Sequence, residues 1–348
     1  MSALWQRLRR LAVPPEGNLG RRPILRLVGL LLVAAFAGVA LANVDLSELV
    51  ETLASARPEA LLLAMAANVV SQWLHAGRWA AVVRPPGVRV RARDAFAPLV
   101  AGYAVGVAVP ARAGDFVRAH LLARRTGLST TSVLAAALLD YVVGTATLVP
   151  LIAGLALATP LPAWARDALL AFAFVGGAGL AAVWLARPRA GHDASGRGLA
   201  GVWARLRAGL GAAHEPSALA KSFLWGIAGW GAELLVAWFS LAAVGLPTTL
   251  QVAGLLVVAT TAANVISLSP GNAGPFEAAA ALVVAGLGVG AAPALAFALL
   301  YHAAHLLPMF ALGGIALLRE AREGREPRAP LADVVDAVEV HEPRATGT

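Results

Sequence analysis

Two short stretches of this sequence set groups that can do chemistry beside helix breakers. Val109–Arg125 reads VPARAGDFVRAHLLARR, and Ser269–Val284 reads SPGNAGPFEAAAALVV. Each opens with Pro-x-x-x-Gly, carries a phenylalanine two residues after the glycine (Phe116, Phe276) and has an acid beside it (Asp115, Glu277). A helix that begins at Gly114 or Gly274 presents unpaired N–H groups and the positive end of its dipole, which attract phosphate or carboxylate. Arg112 and Arg118 add positive charge at the first stretch. Asp115 and Glu277 fall in the first turn of those helices, where an acid complements the dipole or meets a cation or proton. In hydrocarbon an acid costs about 2.5–3.5 kcal/mol, so it needs a partner or an aqueous cavity.

Other polar groups recur at helical spacing. Asn68, Gln72, His75 and Arg78 share one face, Asp140, Tyr141 and Gly144 a second, and Tyr301, His302 and His305 a third. Thr260, Thr261 and Asn264 precede the second stretch, and Glu233 sits inside the apolar run GWGAELLVAW. Such stripes face a bundle interior. Helix–helix hydrogen bonding, worth about 0.6–2 kcal/mol each, accounts for Asn68 and Thr261. Arg78, close to a helix end, can also snorkel. His302, His305 and Asp140 have metal-ligating side chains, but that spacing is common and no metal or cofactor is expected. No nucleophile–base arrangement or phosphate-loop motif appears, and no enzymatic activity is expected.

These residues sit in a very apolar chain. Apolar residues are 59% of 348, charged residues 14%, and mean hydropathy is +0.71, values that point to a membrane protein. Cysteine is absent, which excludes disulfides and thiol chemistry. The net charge of +8 is mainly loop arginine and reports orientation rather than nucleic-acid binding.

Six stretches can cross the roughly 30 Å hydrocarbon core: Ile24–Ala42, Ala60–Val83, Ser132–Ala158, Ala165–Ala186, Ser222–Gly245 and Pro293–Leu318. The first resembles a signal peptide, with Ala40-Leu41-Ala42 as a cleavage site, but its length favours an uncleaved span. Phe96–Val109 gives only about 21 Å of helix. It and Gln251–Leu268 each run into Pro-x-x-x-Gly, and each is read as one arm of a re-entrant hairpin, the alternative being two tilted crossings. The expected fold is thus an all-α polytopic membrane protein with about six transmembrane helices and two re-entrant hairpins.

The organisation that follows has a basic cytoplasmic N-terminus over 1–23. A first membrane repeat covers 24–158 with its hairpin at 96–125, and a second covers 165–318 with its hairpin at 251–287. A disordered cytoplasmic tail occupies 319–348. Arginine-rich loops then all fall on the cytoplasmic side with both termini, while the acidic Asp45–Glu59 loop is external. Span, span, hairpin, span occurs twice with opposite orientation, the inverted repeat of secondary transporters. Gly127-Leu128-Ser129 and Gly288-Val289-Gly290 extend the match between the halves. Both tips are expected to converge on one midplane site.

HAGRWAAVV, PARAGDFVRAHLLARRTGLSTTSVLAAALLD and SPGNAGPFEAAAALVVAGLGVGAAPALAFALLYH together resemble the lysylphosphatidylglycerol synthase transmembrane-region family, also called flippase-like. The resemblance covers nearly all of the membrane portion. It implies a multi-pass protein of a bacterial or archaeal inner membrane; the best-understood members flip aminoacylated lipids, and others serve glycolipid or envelope metabolism. Arg78 and Trp79 match the family's Arg-Trp, Gly114, Asp115 and Arg118 its Gly-Glu-x-x-Arg, and Gly274 and Glu277 its Gly-x-x-Glu. Asp115 replaces the usual glutamate, and Ala137 and His302 stand where arginine is frequent. The family's soluble synthase domain is not in this sequence, so lysyl transfer is not expected.

The expected function is binding of a lipid phospho-headgroup and its movement between leaflets. Arg112, Gly114, Asp115, Arg118, Gly274 and Glu277 would hold the headgroup. His75, Arg78, Asp140, Tyr141, Glu233, Asn264, Tyr301, His302 and His305 would line the cavity. Asp115, Glu277 and Glu233 would meet a cationic headgroup or carry a coupling proton. Membrane lipids are the expected partners, along with envelope-biosynthesis enzymes if the protein is instead a non-transporting subunit of a cell-envelope or glycolipid glycosyltransferase.

Overall fold

The computed structural model describes residues 44–83, 89–108, 113–158, 161–185, 198–266 and 269–322, with isolated positions 31 and 38. The expected first span, Ile24–Ala42, and Arg112 lie outside the described residues. Among the described residues there are eleven α-helices and no strand: α1 Leu46–Ala54, α2 Pro58–Val82, α3 Ala92–Ala108, α4 Ala113–Thr126, α5 Thr130–Ala158, α6 Ala163–Leu185, α7 Gly198–Gly209, α8 Pro216–Ala243, α9 Leu250–Ile266, α10 Pro275–Ala285 and α11 Ala291–Arg322. Five of them, α2, α5, α6, α8 and α11, are long and apolar enough to cross a membrane. The chain is an all-α, polytopic integral membrane protein.

The spans begin where the sequence supplies a start. Proline at the first position presets φ in α2 (Pro58) and α8 (Pro216), and its missing N–H costs nothing there. The acidic loop before α2 is itself partly helical. Asp45 caps α1, accepting from Ser47 N at 2.8 Å and Glu48 N at 3.3 Å. Its bonds, led by Ser47, hold the carboxyl below the usual range. Leu49 of α1 packs on Ala292, Leu295 and Ala296 of α11. At the other end α11 runs on to Arg322, four residues into the expected tail. Arg319 and Arg322 suit the negative helix end, and Glu320 pairs with Arg125 of α4.

At the centre α2 and α8 run antiparallel. Arg57 N donates to Ala243 O (2.8 Å) at one end, and Ser222 Oγ donates to Arg78 O (3.1 Å) at the other. Small residues (Ala64, Ala67 and Ser71 against Gly229, Ala237 and Ser240) let the pair approach closely, as membrane helices do in place of hydrophobic collapse. Around this pair the neighbours of one half recur in the other. α2 packs on α3 and α11, as α8 packs on α9 and α5; α4 packs on α5, as α10 packs on α11. Two buried apolar clusters follow, one centred on α8–α11 and one on α2–α5. By contrast α6 is peripheral, with Leu170 and Phe174 outward. That surface suits lipid tails and would be a liability in water.

Each sequence stretch that opens with Pro-x-x-x-Gly joins two short helices that fold back on one another. α3 and α4 span 17 and 14 residues, and α9 and α10 span 17 and 11, each under about 26 Å at 1.5 Å per residue. The first pair closes on glycine. A Cβ on Gly114 would lie 2.2 Å from Gly102 O, and one on Gly102 would lie 2.6 Å from Gly114 O. The second pair turns through a 3₁₀ segment, Pro270–Asn272, and Gly274 at φ +95° begins α10 in a conformation L side chains avoid. The turn rests on the end of α3: a Cβ on Gly271 would lie 3.6 Å from Val107. The turn of the second hairpin therefore meets the end of the first arm of the first.

Candidate functional site

The first half builds a cluster of fixed charges. Arg78, from the end of α2, meets Asp140 of α5 fork to fork, Nε to Oδ1 at 2.7 Å and a terminal nitrogen to Oδ2 at 3.2 Å. Gly144, one turn along α5, leaves room for it; a Cβ there would sit 2.7 Å from the guanidinium. On α4, Asp115 accepts from the Tyr141 hydroxyl at 2.7 Å and lies 3.0 Å from Arg118 Nε, one turn further on. The Arg118 guanidinium sits 4.9 Å from the Trp79 ring and 5.1 Å from the Tyr141 ring, within cation–π range. Two arginines and two aspartates balance, which is what a low-dielectric site requires.

That balance leaves hydrogen-bond donors over. Among the described residues, one terminal nitrogen of Arg118 and one of Arg78 are buried without an acceptor, and Arg118 Nε, though close to Asp115, is not aligned to donate to it. Arg118 is 6% exposed, yet beside it Tyr103 and Tyr141 expose 46% and 41% of their surface. The cluster has an open edge, made of aromatic rings and the Asp115 carboxylate.

The second half builds a closed cluster of a different kind. Glu277, in the first turn of α10, accepts from Gly274 N at 2.7 Å with one oxygen, and its other oxygen lies 2.6 Å from His302 Nδ1. Nε2 of His302 lies 3.1 Å from Gly271 O at the tip, and Phe276 stacks on the ring at 4.4 Å. One turn along α11, His305 Nε2 meets Glu233 of α8 at 3.1 Å, and its Nδ1 lies 2.8 Å from Tyr301 O. Glu233 also accepts from Ser71 Oγ (2.7 Å) and Gln72 Nε2 (3.2 Å) of α2. His75 lies beside Trp230, edge to face, and within electrostatic reach of Arg78, Asp140 and Glu233. Tyr103 lies within reach of Arg118, Asp115, Arg78 and Glu233. Those two side chains link the clusters.

Arg78, Asp115, Arg118, Asp140 and Tyr141 are thus together, and so are Glu233, Glu277, Tyr301, His302 and His305. Among the described residues Asp115 and Glu277 share no hydrogen-bond or ion-pair partner. Asn264 stands at the second tip, bonded to Asn272. Gly114 serves close packing and Gly274 the start of α10. Arg78 does not snorkel; it is buried and paired. Asn68 bonds Ala304 O and His305 O, the helix–helix role expected of it. His302 and His305 take different glutamates and Asp140 takes an arginine; among the described residues no group of three or more such side chains could hold a metal ion. An apolar cavity of about 440 Å³ lies apart from these charges, lined by Val143, Leu180, Leu219, Ala220, Phe223 and Leu224.

Sequence reasoning missed Tyr103 and Ser71, and it noted Phe276 in the repeated motif without giving it a role. A signal was present for the first: the chain has three tyrosines, and all three, Tyr103, Tyr141 and Tyr301, lie at these clusters. Phe276 occupies the repeated Pro-x-x-x-Gly-x-Phe position, whose counterpart Phe116 is exposed while Phe276 is buried. Curated proteins include none that matches the chain. Residues 26–313 match the family model described as the lysylphosphatidylglycerol synthase TM region, and the chain belongs to that family.

Proposed function

We propose that this protein moves an amphiphilic lipid between leaflets and takes an anionic headgroup at the open edge of the arginine cluster. One observation carries this reading. Arg118 is buried among aromatic rings with guanidinium donors that have no acceptor, beside an edge that Tyr103, Tyr141 and Asp115 leave accessible. A phosphate oxygen supplies the missing acceptor, and charge-assisted bonds to guanidinium are strong. Arg112, outside the described residues, would add a second cation.

Other features support the same reading. The antiparallel α2–α8 pair and the neighbours repeated between the halves fit an inverted repeat. Hairpin arms too short to span, with the second turn against the end of α3, fit re-entry toward a midplane site. Loop arginines support a cytoplasmic side for both termini, and the family resemblance supports a bacterial or archaeal membrane. No reaction is assigned to the clusters, and the protein acts as a carrier rather than an enzyme.

The test uses full-length protein in vesicles of phosphatidylethanolamine and phosphatidylglycerol, with fluorescent lipids of different headgroups and quenching from one side. Wild type should move at least one anionic lipid, Arg118→Gln should abolish movement, and Arg118→Lys should keep part of it. Equal movement by wild type and Arg118→Gln would refute the site.

A further inference from the structure

The two histidine–glutamate pairs have a property the arginine cluster lacks. Gly271 O can only accept a hydrogen bond, so His302 Nε2, 3.1 Å away, carries a hydrogen. The 2.6 Å contact between Nδ1 and Glu277 then needs one more proton between nitrogen and oxygen. It resides on nitrogen, giving imidazolium and carboxylate, or on oxygen, giving neutral imidazole and carboxylic acid. His305 repeats the arrangement, with Tyr301 O on Nδ1 and Glu233 on Nε2. In each pair one proton is held beyond those of a neutral imidazole and a carboxylate.

The surroundings make that proton necessary and removable. Among the described residues the only ion-pair partners of Glu233 and Glu277 are these histidines. The other groups that face Glu233 are neutral donors (Ser71 and Gln72 from α2), His75 from α2, Tyr103 from α3 and Tyr301 from α11. Facing Glu277 is the backbone N–H of Gly274. Loss of the proton would leave a net negative charge on carboxylates whose side chains are each 9% exposed, a costly state in low dielectric. The carbonyl that fixes His302 belongs to Gly271, at the tip that rests on α3. Displacement of that tip takes away the bond that keeps Nε2 a donor.

We infer that His302–Glu277 and His305–Glu233 are two binding sites for transferable protons, and that His302–Glu277 exchanges its proton when the second hairpin tip moves. This rests on the transport reading for its consequence: cargo movement is linked to a proton gradient. The balance is simple. One proton enters a pair from one side of the membrane, no covalent bond other than N–H or O–H forms, and the proton leaves to the other side as the tip returns.

Two measurements test it. The first needs no cargo. Protein labelled with ¹⁵N-histidine, in the same vesicles, is titrated from pH 5 to 9, with His302→Gln and His305→Gln identifying the signals. If either variant misfolds, Glu277→Gln and Glu233→Gln identify the same signals by shifting them. Both histidines should change protonation state over that range; a constant state for both overturns the proton sites. The second measures labelled-lipid movement with and without an imposed pH difference. One pH unit supplies about a tenfold driving ratio per proton, so wild-type lipid distribution should shift by up to that factor, and either His→Gln variant should lose the response. Lipid movement indifferent to the gradient overturns the coupling but leaves the transport reading intact. Titrating histidines in a protein that moves no lipid overturn the transport reading and the coupling, while the proton sites stand.

Discussion

Asp140→Asn should be among the most damaging single substitutions in the chain, for a reason visible in its geometry. The carboxylate accepts two bonds from Arg78, at 2.7 and 3.2 Å, with side-chain exposures of 9% for the arginine and 3% for the aspartate. An amide keeps one acceptor but removes the charge, leaving a guanidinium in a buried site with no counter-ion. Breaking one partner of such a pair costs about 3–5 kcal/mol, and the retained acceptor places Asp140→Asn near the lower end. For a chain of this size about 3 kcal/mol lowers the melting temperature by roughly 4 °C. Thermal unfolding in detergent, followed by tryptophan fluorescence, measures this directly. The double change Arg78→Met with Asp140→Leu removes both charges and should lie closer to wild type than Asp140→Asn does, because replacing a whole buried pair by apolar side chains is often close to neutral. An Asp140→Asn protein melting within about 1 °C of wild type would mean that Arg78 reaches water or lipid headgroups, and the fork-to-fork pair would not exist as described.

Gly114→Ala should cost about 1–3 kcal/mol by overpacking, since its Cβ would fall 2.2 Å from Gly102 O, and melting curves will show whether α3 and α4 can part to admit it. Asp115→Asn and Glu277→Gln, having no common partner, should add to within about 0.5 kcal/mol in stability, whereas Glu277→Gln with His302→Gln should couple by about 0.5–3 kcal/mol; the reverse ordering in double-mutant cycles would put both acids in one site. Accessibility tags after Arg91 and at the C-terminus should report cytoplasm, and one near Glu51 should report the outside. A cytoplasmic Glu51 would overturn the orientation and the inverted repeat with it.

The positions of these groups were legible in the sequence and their partners were not. A 3.6-residue period put Asn68, Gln72, His75 and Arg78 on one face of α2. Which acid each base meets depends on how α2 lies against α8 and α5, and helical period carries no such information. Arg78 shows the gap. Its place near a helix end suggested snorkelling, but that end packs beside α5 where Asp140 projects, with Gly144 opening the space. The tips were readable as Pro-x-x-x-Gly because proline and glycine stop helices for local reasons. The contact of Gly102 with Gly114, by contrast, is a pairing of two glycines in different helices, of which the sequence shows only the glycines. The acid in the first turn of each returning helix did invite one reading for both tips, and there the halves diverge.

That divergence is physical. At the first tip the acid is answered by Arg118 and the Tyr141 hydroxyl; at the second it is answered by His302 and a backbone N–H. Guanidinium stays charged at any pH a cell offers, so on the proposed function the first tip would hold anions with an affinity independent of pH. Imidazole as a side-chain type changes charge within the physiological range, so on the inference above the charge at the second tip would be set by a proton. A carrier needs both properties. A site of constant strength binds cargo as readily after translocation as before, and release then depends on something else changing. In this chain His302 and Glu277 are buried against the second tip, that tip rests on α3, and α3 packs against the helix that bears Arg118. A proton leaving His302–Glu277 is therefore one packed helix away from the arginine that would hold the headgroup. Tyr103 of α3, within electrostatic reach of both Glu233 and Arg118, is the side chain through which the two would sense each other. Tyr103→Phe keeps the ring and removes the hydroxyl, so it should leave headgroup binding near wild type while weakening the response of lipid movement to a pH gradient. An unchanged gradient response in Tyr103→Phe would show that the hydroxyl plays no part in the link.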